Sequence, residues 1–379
     1  MALTAVHVSD VPMMGHVPEM QPAPALTRRS EPLDMRSAGE KAGKFLVVGH
    51  RGKGMNLLSS SDPRMTSFKE NSVASFNAAG KFPVDLVEFD VQVTKDNYPI
   101  IFHDNFILTE EEGQILEKRA TDLTLEEFFS YGPQKQSGKV GKSLLRKLKD
   151  GRVIDWNVGT DSPLCTLEEA FQSVDSHLGF NIELKFDDNL VYQEQELTRI
   201  LQTILHVVFQ HAHDRPVVFS SFQPDAAQVM RKLQCVYPVY FLTNGGIETY
   251  TDSRRNSLDE AIRHCLSYGL HGIVSEVKAI FRNPTMVPRI KESNLALLTY
   301  GQLNNVPEAV YMQHLMGING VIVDLVEEIT GSVSDIISKD EADEELGKSV
   351  GEGKEEKRPK FSQRELAFLF KLIPELVQH

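Results

Sequence analysis

The chain has 379 residues, of which 41% are hydrophobic and 25% charged, so it is an ordinary globular protein with length for one large domain or two smaller ones. Its net charge of −13 argues against wholesale binding to nucleic acid. No apolar run approaches the ~20 residues of a membrane-spanning helix. Cys165, Cys235 and Cys265 lie far apart without CxxC or Cys–His spacing, which reads as free thiols in a reducing compartment and not as a zinc site.

Residues 1–44 carry Pro12, Pro18, Pro22, Pro24 and Pro32 and show no hydrophobic period. They lack a secretory h-region and are expected to be a disordered arm or a plastid-type targeting segment. For a targeting segment they are rich in acid: Asp10, Glu19, Glu31, Asp34 and Glu40. From Phe45 a rhythm begins. Short β-branched runs at Phe45–Gly49, Asp85–Val91, Phe180–Lys185, Pro216–Ser220, Pro238–Thr243, Leu270–Ser275, Leu295–Tyr300 and Gly320–Asp324 predict strands. Amphipathic stretches between them predict helices over Glu70–Lys81, Thr166–His177, Gln193–His213, Pro224–Gln234, Arg254–Tyr268, Asn283–Ser293 and Val306–Met316. Thr166 and Glu169 have capping-box spacing at one of these starts. This alternation predicts a (β/α)8 TIM barrel over 45–338, with an open doubly wound sheet as the competitor, because periodicity does not show closure.

Within the second run, Leu86–Asp104 reads LVEFDVQVTKDNYPIIFHD. Period-two alternation sets Val87, Phe89, Val91 and Val93 on one face and Glu88, Asp90 and Gln92 on the other. A polar turn and a short apolar run then bring His103 and Asp104 back towards the two acids. An insertion of about 105–165 follows this hairpin; it holds a short helix over Thr124–Ser130 and a run of basic residues but no clear strand. It is expected to be a lid that attracts an anion, or a solvated loop. Lys339–Lys360 is a charged linker, and Phe361–His379 an amphipathic helix opened by Ser362 and Glu365.

His50, Glu88, Asp90, Glu183 and Lys185 all fall at the ends of predicted strands, where barrels carry their chemistry. Three carboxylates so crowded raise one another's pKa or take a cation between them, and all-oxygen ligation favours Mg²⁺, with Ca²⁺ as the alternative. His50 and His103 form a proton-transfer pair. Arg51 offers a fork for phosphate, and Lys185 a further positive charge. Together these residues fit phosphodiester cleavage, and no GxGxxG, Walker loop or GxSxG competes.

Five motifs then resemble the glycerophosphodiester phosphodiesterase family, in its order and spacing: GHRG at Gly49–Gly52, KEN at Lys69–Asn71, VEFDVQVTKD at Val87–Asp96, IFHD at Ile101–Asp104 and NIELK at Asn181–Lys185. The likeness runs from about Phe45 to Ile329, and the whole chain is similar to the plant, often plastid-targeted branch. The resemblance implies a TIM barrel, a divalent metal on Glu88, Asp90 and Glu183, and catalysis by His50 and His103. It further implies phosphate neutralisation by Arg51 and Lys185, support from Glu70, and a small-molecule glycerophosphodiester substrate. Tyr300 stands where many bacterial relatives have tryptophan, which bears on the fit around the substrate. The implied reaction yields glycerol 3-phosphate and a free alcohol, such as choline or ethanolamine. A lysophospholipase-D-like activity and a non-catalytic headgroup-binding scaffold are the alternatives. The implied location is the plastid, with the cytoplasm as alternative; the sequence leaves the oligomeric state open.

Overall fold

A computed structural model describes residues 44–333. The N-terminal arm, the charged linker and the C-terminal helix lie outside the described residues. The first barrel strand, β1 (Leu46–Gly49), leads through α1 (Val73–Ala79) to β2 (Leu86–Val93), which turns back as the short antiparallel strand β3 (Pro99–Ile101). The insertion contains β4 (Phe106–Glu111), β5 (Gln114–Arg119), α2 (Leu125–Phe129), β6 (Leu145–Lys147) and β7 (Val153–Asp155). Strand and helix then alternate through α3 (Leu167–Ser173), β8 (Gly179–Leu184), α4 (Glu194–His211), β9 (Val217–Ser221), α5 (Pro224–Leu233), β10 (Val239–Thr243) and α6 (Leu258–Tyr268). The last elements with assigned bounds are β11 (Gly272–Glu276), α7 (Val277–Arg282), α8 (Met286–Glu292), β12 (Ala296–Tyr300), α9 (Pro307–Leu315) and β13 (Gly320–Val323).

Eight parallel strands form a ring in the order β1, β2, β8, β9, β10, β11, β12, β13, and β13 pairs back onto β1 with Gly49 opposite Val323. Closure removes the open-sheet alternative. Successive side chains point to opposite faces of each strand, and the sequence uses both. Leu46, Val48, Leu86, Val218, Tyr240, Leu242, Val274, Leu298 and Ile322 fill the barrel interior. Val47, Val87, Phe89, Val91, Phe180, Ile182, Phe219 and Phe241 pack outward into the layer shared with the helices. Glu88 and Asp90 continue the inward face that Leu86 begins, so the interior of β2 turns from apolar to acidic along the strand.

The helices follow their caps. Thr166 and Glu169 close the expected capping box at α3, and Thr124 with Glu127 does the same at α2. The first helix begins later than its amphipathic pattern suggests: Ser72 caps it by accepting from the Ser75 N–H, and Lys69–Asn71 remain in the loop. Two helices lie beyond the periodic stretches: α7, which follows β11 directly, and one that runs from Val326 to the end of the described residues.

The insertion departs from expectation. Its strands form an antiparallel sheet in the order β5-β4-β6-β7, with a core of Ile107, Leu123, Phe128, Tyr131, Leu144 and Trp156 shared with Ile100 and Phe102 of the hairpin. The β4–β5 connection is a two-residue turn, Glu112 and Gly113, both with positive φ (52° and 75°), the geometry that matches the twist of paired strands. Alternation there is hidden because β5 is exposed along most of its length.

One buried group on the outer layer makes stability depend on acid. His264 on α6 is 4% exposed and its Nε2–H donates to the Pro224 carbonyl, while Nδ1 is buried without a partner. Burial first, and then the Arg254 guanidinium, push its pKa from 6.5 down to about 4, against smaller opposing effects of Asp225 and Asp252. The unfolded chain therefore takes up the proton before the folded one. His264 should cost nothing above pH 6.5, reduce stability progressively as pH falls towards 4, and level off below that. The gap corresponds to roughly 3 kcal/mol at its full extent. In urea denaturation between pH 4 and 7, His264→Leu should lack this slope; a variant profile parallel to wild type would show that the ring does not titrate this way.

Candidate active site

Gly49–Gly52 forms a sharp turn off β1. A side chain on Gly49 would meet the Gly52 carbonyl oxygen at 2.3 Å, and Gly52 itself adopts φ +95° against Ser75. The turn places His50 and Arg51, the latter at φ 50°, over the end of the barrel. His50 Nδ1 lies 2.7 Å from Asp324 Oδ1, just past β13, and its Nε2 lies 3.9 Å from Glu88. The hairpin from β2 to β3 brings His103 to the same mouth, with its Nδ1 2.7 Å from Asp104 Oδ1. Because a carboxylate only accepts, each Nδ1 carries the proton of its bond, and Nε2 is the atom each ring turns elsewhere.

The acids lie close to the imidazoles, Glu88 beside His50 and Asp90 within reach of the His103 charge. One oxygen from each of Glu88, Asp90 and Glu183 falls within 4.8 Å of the others. Glu88 Oε2 accepts from the Arg51 N–H at 2.9 Å, while Glu88 Oε1 is buried without a partner. Burial and then the neighbouring Asp90 carboxylate push the Glu88 pKa upward. Burial opposes the charge on Asp90 too, but His103, Arg51 and Lys185 outweigh it and hold Asp90 low. Lys185 supplies local counter-charge at 2.9 Å from Glu183 and 3.7 Å from Asp90. An orphaned carboxylate oxygen in an all-oxygen cluster suits a hard divalent cation, so the residues present fit one.

Burial is the first influence on both imidazoles, and it lowers the pKa of each. At His50 the Asp324 carboxylate overcomes it, and the pKa ends raised. At His103 the positive charges of Arg51 and Lys185 reinforce it, and the pKa ends lowered.

This geometry has relatives. The glycerophosphoryl diester phosphodiesterase family model matches residues 50–328. The chain belongs to that family. It is 57% identical over the full length of both proteins to "Glycerophosphodiester phosphodiesterase GDPD1, chloroplastic" of Arabidopsis thaliana. To Arabidopsis GDPD2 it is 54% identical, again over the full length of both. Among solved structures it is similar to an Oleispira antarctica phosphodiesterase in complex with the product sn-glycerol-3-phosphate, with TM-score 0.53, 20% identity, and 76% of this chain and 96% of that one covered. A Parabacteroides distasonis glycerophosphodiester phosphodiesterase gives TM-score 0.53 at 19% identity, covering 78% of this chain and 98% of that one. Both likenesses bear out the barrel.

The motifs of this phosphodiesterase converge as their order suggests. His50, His103, Arg51, Glu70, Lys185, Glu88, Asp90 and Glu183 meet at one mouth. Glu70 is buried at its floor, accepting from Arg51 Nη1 at 2.7 Å, from Arg146 Nη2 at 2.9 Å and from the Asn56 N–H. Those two guanidiniums overcome the cost of burial and hold the Glu70 carboxyl well below the usual range. Arg51 is itself buried: Nη1 is committed to Glu70, whereas Nε lies 3.4 Å from Asp90 without a hydrogen-bond partner, so the fork expected for phosphate is partly taken up by the acids. Tyr300, at the end of β12, donates to Asn244 and packs edge-on to Phe222 with ring centroids 5.9 Å apart. Beside it a cavity of about 190 Å³ is lined by Glu183, Lys185, Asp188, Gln223, Asn244 and Arg255, with Phe222 and Tyr250.

Other residues at the site were not singled out by sequence reasoning. Asn71 holds Asp90 through a 2.8 Å bond from Nδ2, and its φ of 55° explains an asparagine at the end of the KEN motif. Asp324 closes the eighth predicted strand, and an acid at a strand end was the available signal. Arg146 sits in the insertion, 42 residues from Asp104, with nothing in the sequence to mark it out from the lysines around it.

Proposed function

We propose that this phosphodiesterase hydrolyses glycerophosphodiesters, among them glycerophosphocholine and glycerophosphoethanolamine, to sn-glycerol 3-phosphate and the free alcohol. The observation that carries this reading is the pair of imidazoles, each anchored through Nδ1 by a carboxylate, across a cluster of three acids. One Nε2 accepts a proton from the attacking hydroxyl, and the other donates one to the departing alcohol oxygen. Among the described residues neither ring bonds a serine, threonine or cysteine, so the attacking group is assigned to the substrate's own hydroxyl at glycerol carbon 2. Attack by that hydroxyl gives a cyclic glycerophosphate, which water then opens. Arg51 and Lys185 bring positive charge to the phosphate oxygens as negative charge gathers on them.

Glu88, Asp90 and Glu183 would hold a divalent ion, Mg²⁺ or alternatively Ca²⁺. When bound, it supplies a fixed positive charge beside the phosphate. The small, mainly polar cavity next to the mouth supports a water-soluble headgroup over a lysolipid's acyl chain. Among the described residues no helix is long and apolar enough to cross a membrane. The chloroplastic name of the Arabidopsis relative supports a plastid location for this chain, which imaging of a full-length fluorescent fusion would test.

The deciding experiment is turnover of glycerophosphocholine followed by product identification. We expect sn-glycerol 3-phosphate and choline, loss of activity with EDTA, and recovery with Mg²⁺ or Ca²⁺. A 2-deoxy analogue should bind without being cleaved, because the positioned intramolecular nucleophile is missing. Phosphocholine as the product would place the scissile bond on the wrong side, and undiminished activity of a verified metal-free sample would remove the cation. No turnover of any glycerophosphodiester would leave the idle scaffold as the better reading.

A further inference from the structure

The insertion reaches the mouth through one side chain. Arg146 on β6 lies over the Trp156 ring, with its guanidinium carbon 4.2 Å from the centroid, and its Nη1 donates to the Asn56 carbonyl at 3.4 Å. Trp156 is fixed in turn by its own Nε1–H, which donates to Asn56 Oδ1 at 2.9 Å. From this seat Arg146 Nη2 donates to Glu70 Oε1 at 2.9 Å and to Asp104 Oδ1 at 3.2 Å. Each of those oxygens has a second partner at the mouth: Glu70 Oε1 accepts from Arg51, and Asp104 Oδ1 from His103. Arg146 thus joins the Arg51 side of the mouth to the His103 side, and it does so from a sheet outside the barrel.

We propose that Arg146 is a positioning residue for the phosphodiesterase reaction, holding Asp104, and through it the His103 ring, in register with Arg51 and Glu70. This rests on the reading of His103 as a proton-transfer group. The bond from Nδ1–H to Asp104 sets both the tautomer of His103 and the direction of its Nε2. Asp104 has a partly exposed side chain (28%), so without Arg146 the carboxylate is free to swing towards water, carrying the ring with it. Displacements of ~1 Å at a reacting group cost about 10²-fold in rate. Glu70 keeps Arg51 in either case, so the deficit should fall on the histidine side of the mouth.

Arg146→Ala in the full-length enzyme should lower kcat by about 10²-fold with little change in KM. Added guanidinium, which replaces the missing fork, should restore part of that loss saturably, and urea, which has the same shape but no charge, should not. Arg146→Lys reaches one carboxylate but not both at once and should fall between wild type and alanine. Asp104→Asn combined with Arg146→Ala should be no worse than the poorer single variant, since both act through the same ring. Wild-type kcat in folded Arg146→Ala or Arg146→Lys, with only a lowered Tm, would overturn the proposal, as would full additivity with Asp104→Asn. If Arg146→Ala does not fold, Arg146→Lys and the double variant built on it decide. Loss of all activity in wild type would instead count against the functional reading itself.

Discussion

His103→Ala and His50→Ala are each expected to lose about 10²–10⁴-fold in kcat while the fold survives. The chemical half follows from geometry: each ring spends Nδ1 on a carboxylate and leaves Nε2 for proton transfer, and among the described residues no second imidazole stands beside either ring to replace it. The structural half follows from what remains after truncation. Asp324, deprived of His50, still accepts from the Met55 N–H at 3.0 Å and from Asn305 Nδ2 at 2.9 Å. Asp104, deprived of His103, still has Arg146. Neither variant strands a buried charge, so Tm should move by only a few degrees. The double variant should be little worse than either single one, because both protons move in one reaction. Steady-state kinetics with a Tm measurement on each variant checks both halves; a histidine whose removal leaves kcat within a few-fold of wild type has no part in proton transfer.

Arg51→Met should fail on both counts. The side chain is buried between Glu70 and Asp90, whose carboxylates are themselves 1% exposed. Methionine fills the volume but leaves two buried acids with less positive charge between them, and breaking a buried pair from one side costs about 3–5 kcal/mol. Arg146, Asn71 and Lys185 still reach those acids, which argues for the lower end. Loss of the charge proposed to neutralise the phosphate should lower kcat by about 10²–10³-fold as well. Arg51→Lys keeps the charge but not the fork that faces Glu70 and Asp90, and should recover part of both losses. Urea unfolding and kcat measured together test this; a loss below 1 kcal/mol would show that the neighbouring cations already neutralise both acids.

Much of this was legible in the chain because barrel sequences write their chemistry at strand ends. Period-two alternation along Leu86–Val93 set Glu88 and Asp90 side by side on one face, and the capping box at Thr166 marked a helix start that the structure keeps. What escaped did so for physical reasons. The β4–β5 hairpin faces water over most of its surface, so its strands carry charge where a core strand would carry apolar residues, and its Glu-Gly turn is a weaker mark than Asn-Gly. Arg146 acts across a tertiary contact between the insertion and the barrel, and no local pattern encodes such a partner. Asp324 was within reach of the strand-end argument but stands alone, without the histidine or second acid that drew attention to the other ends.

His50 and Asp324 are separated by 274 residues yet share one hydrogen bond at the seam where β13 meets β1. That seam joins the first barrel strand to the eighth, so it can close only once nearly all of the barrel is present, and long-range pairings of this kind are slow to form. The phosphodiesterase mouth therefore has no early, half-built version: a chain still short of Asp324 lacks the group that orients His50, however much of the barrel wall has already condensed. In refolding, recovery of catalysis should trail recovery of helical signal, and a chain that ends before the eighth strand should stay silent even if its remaining strands pair.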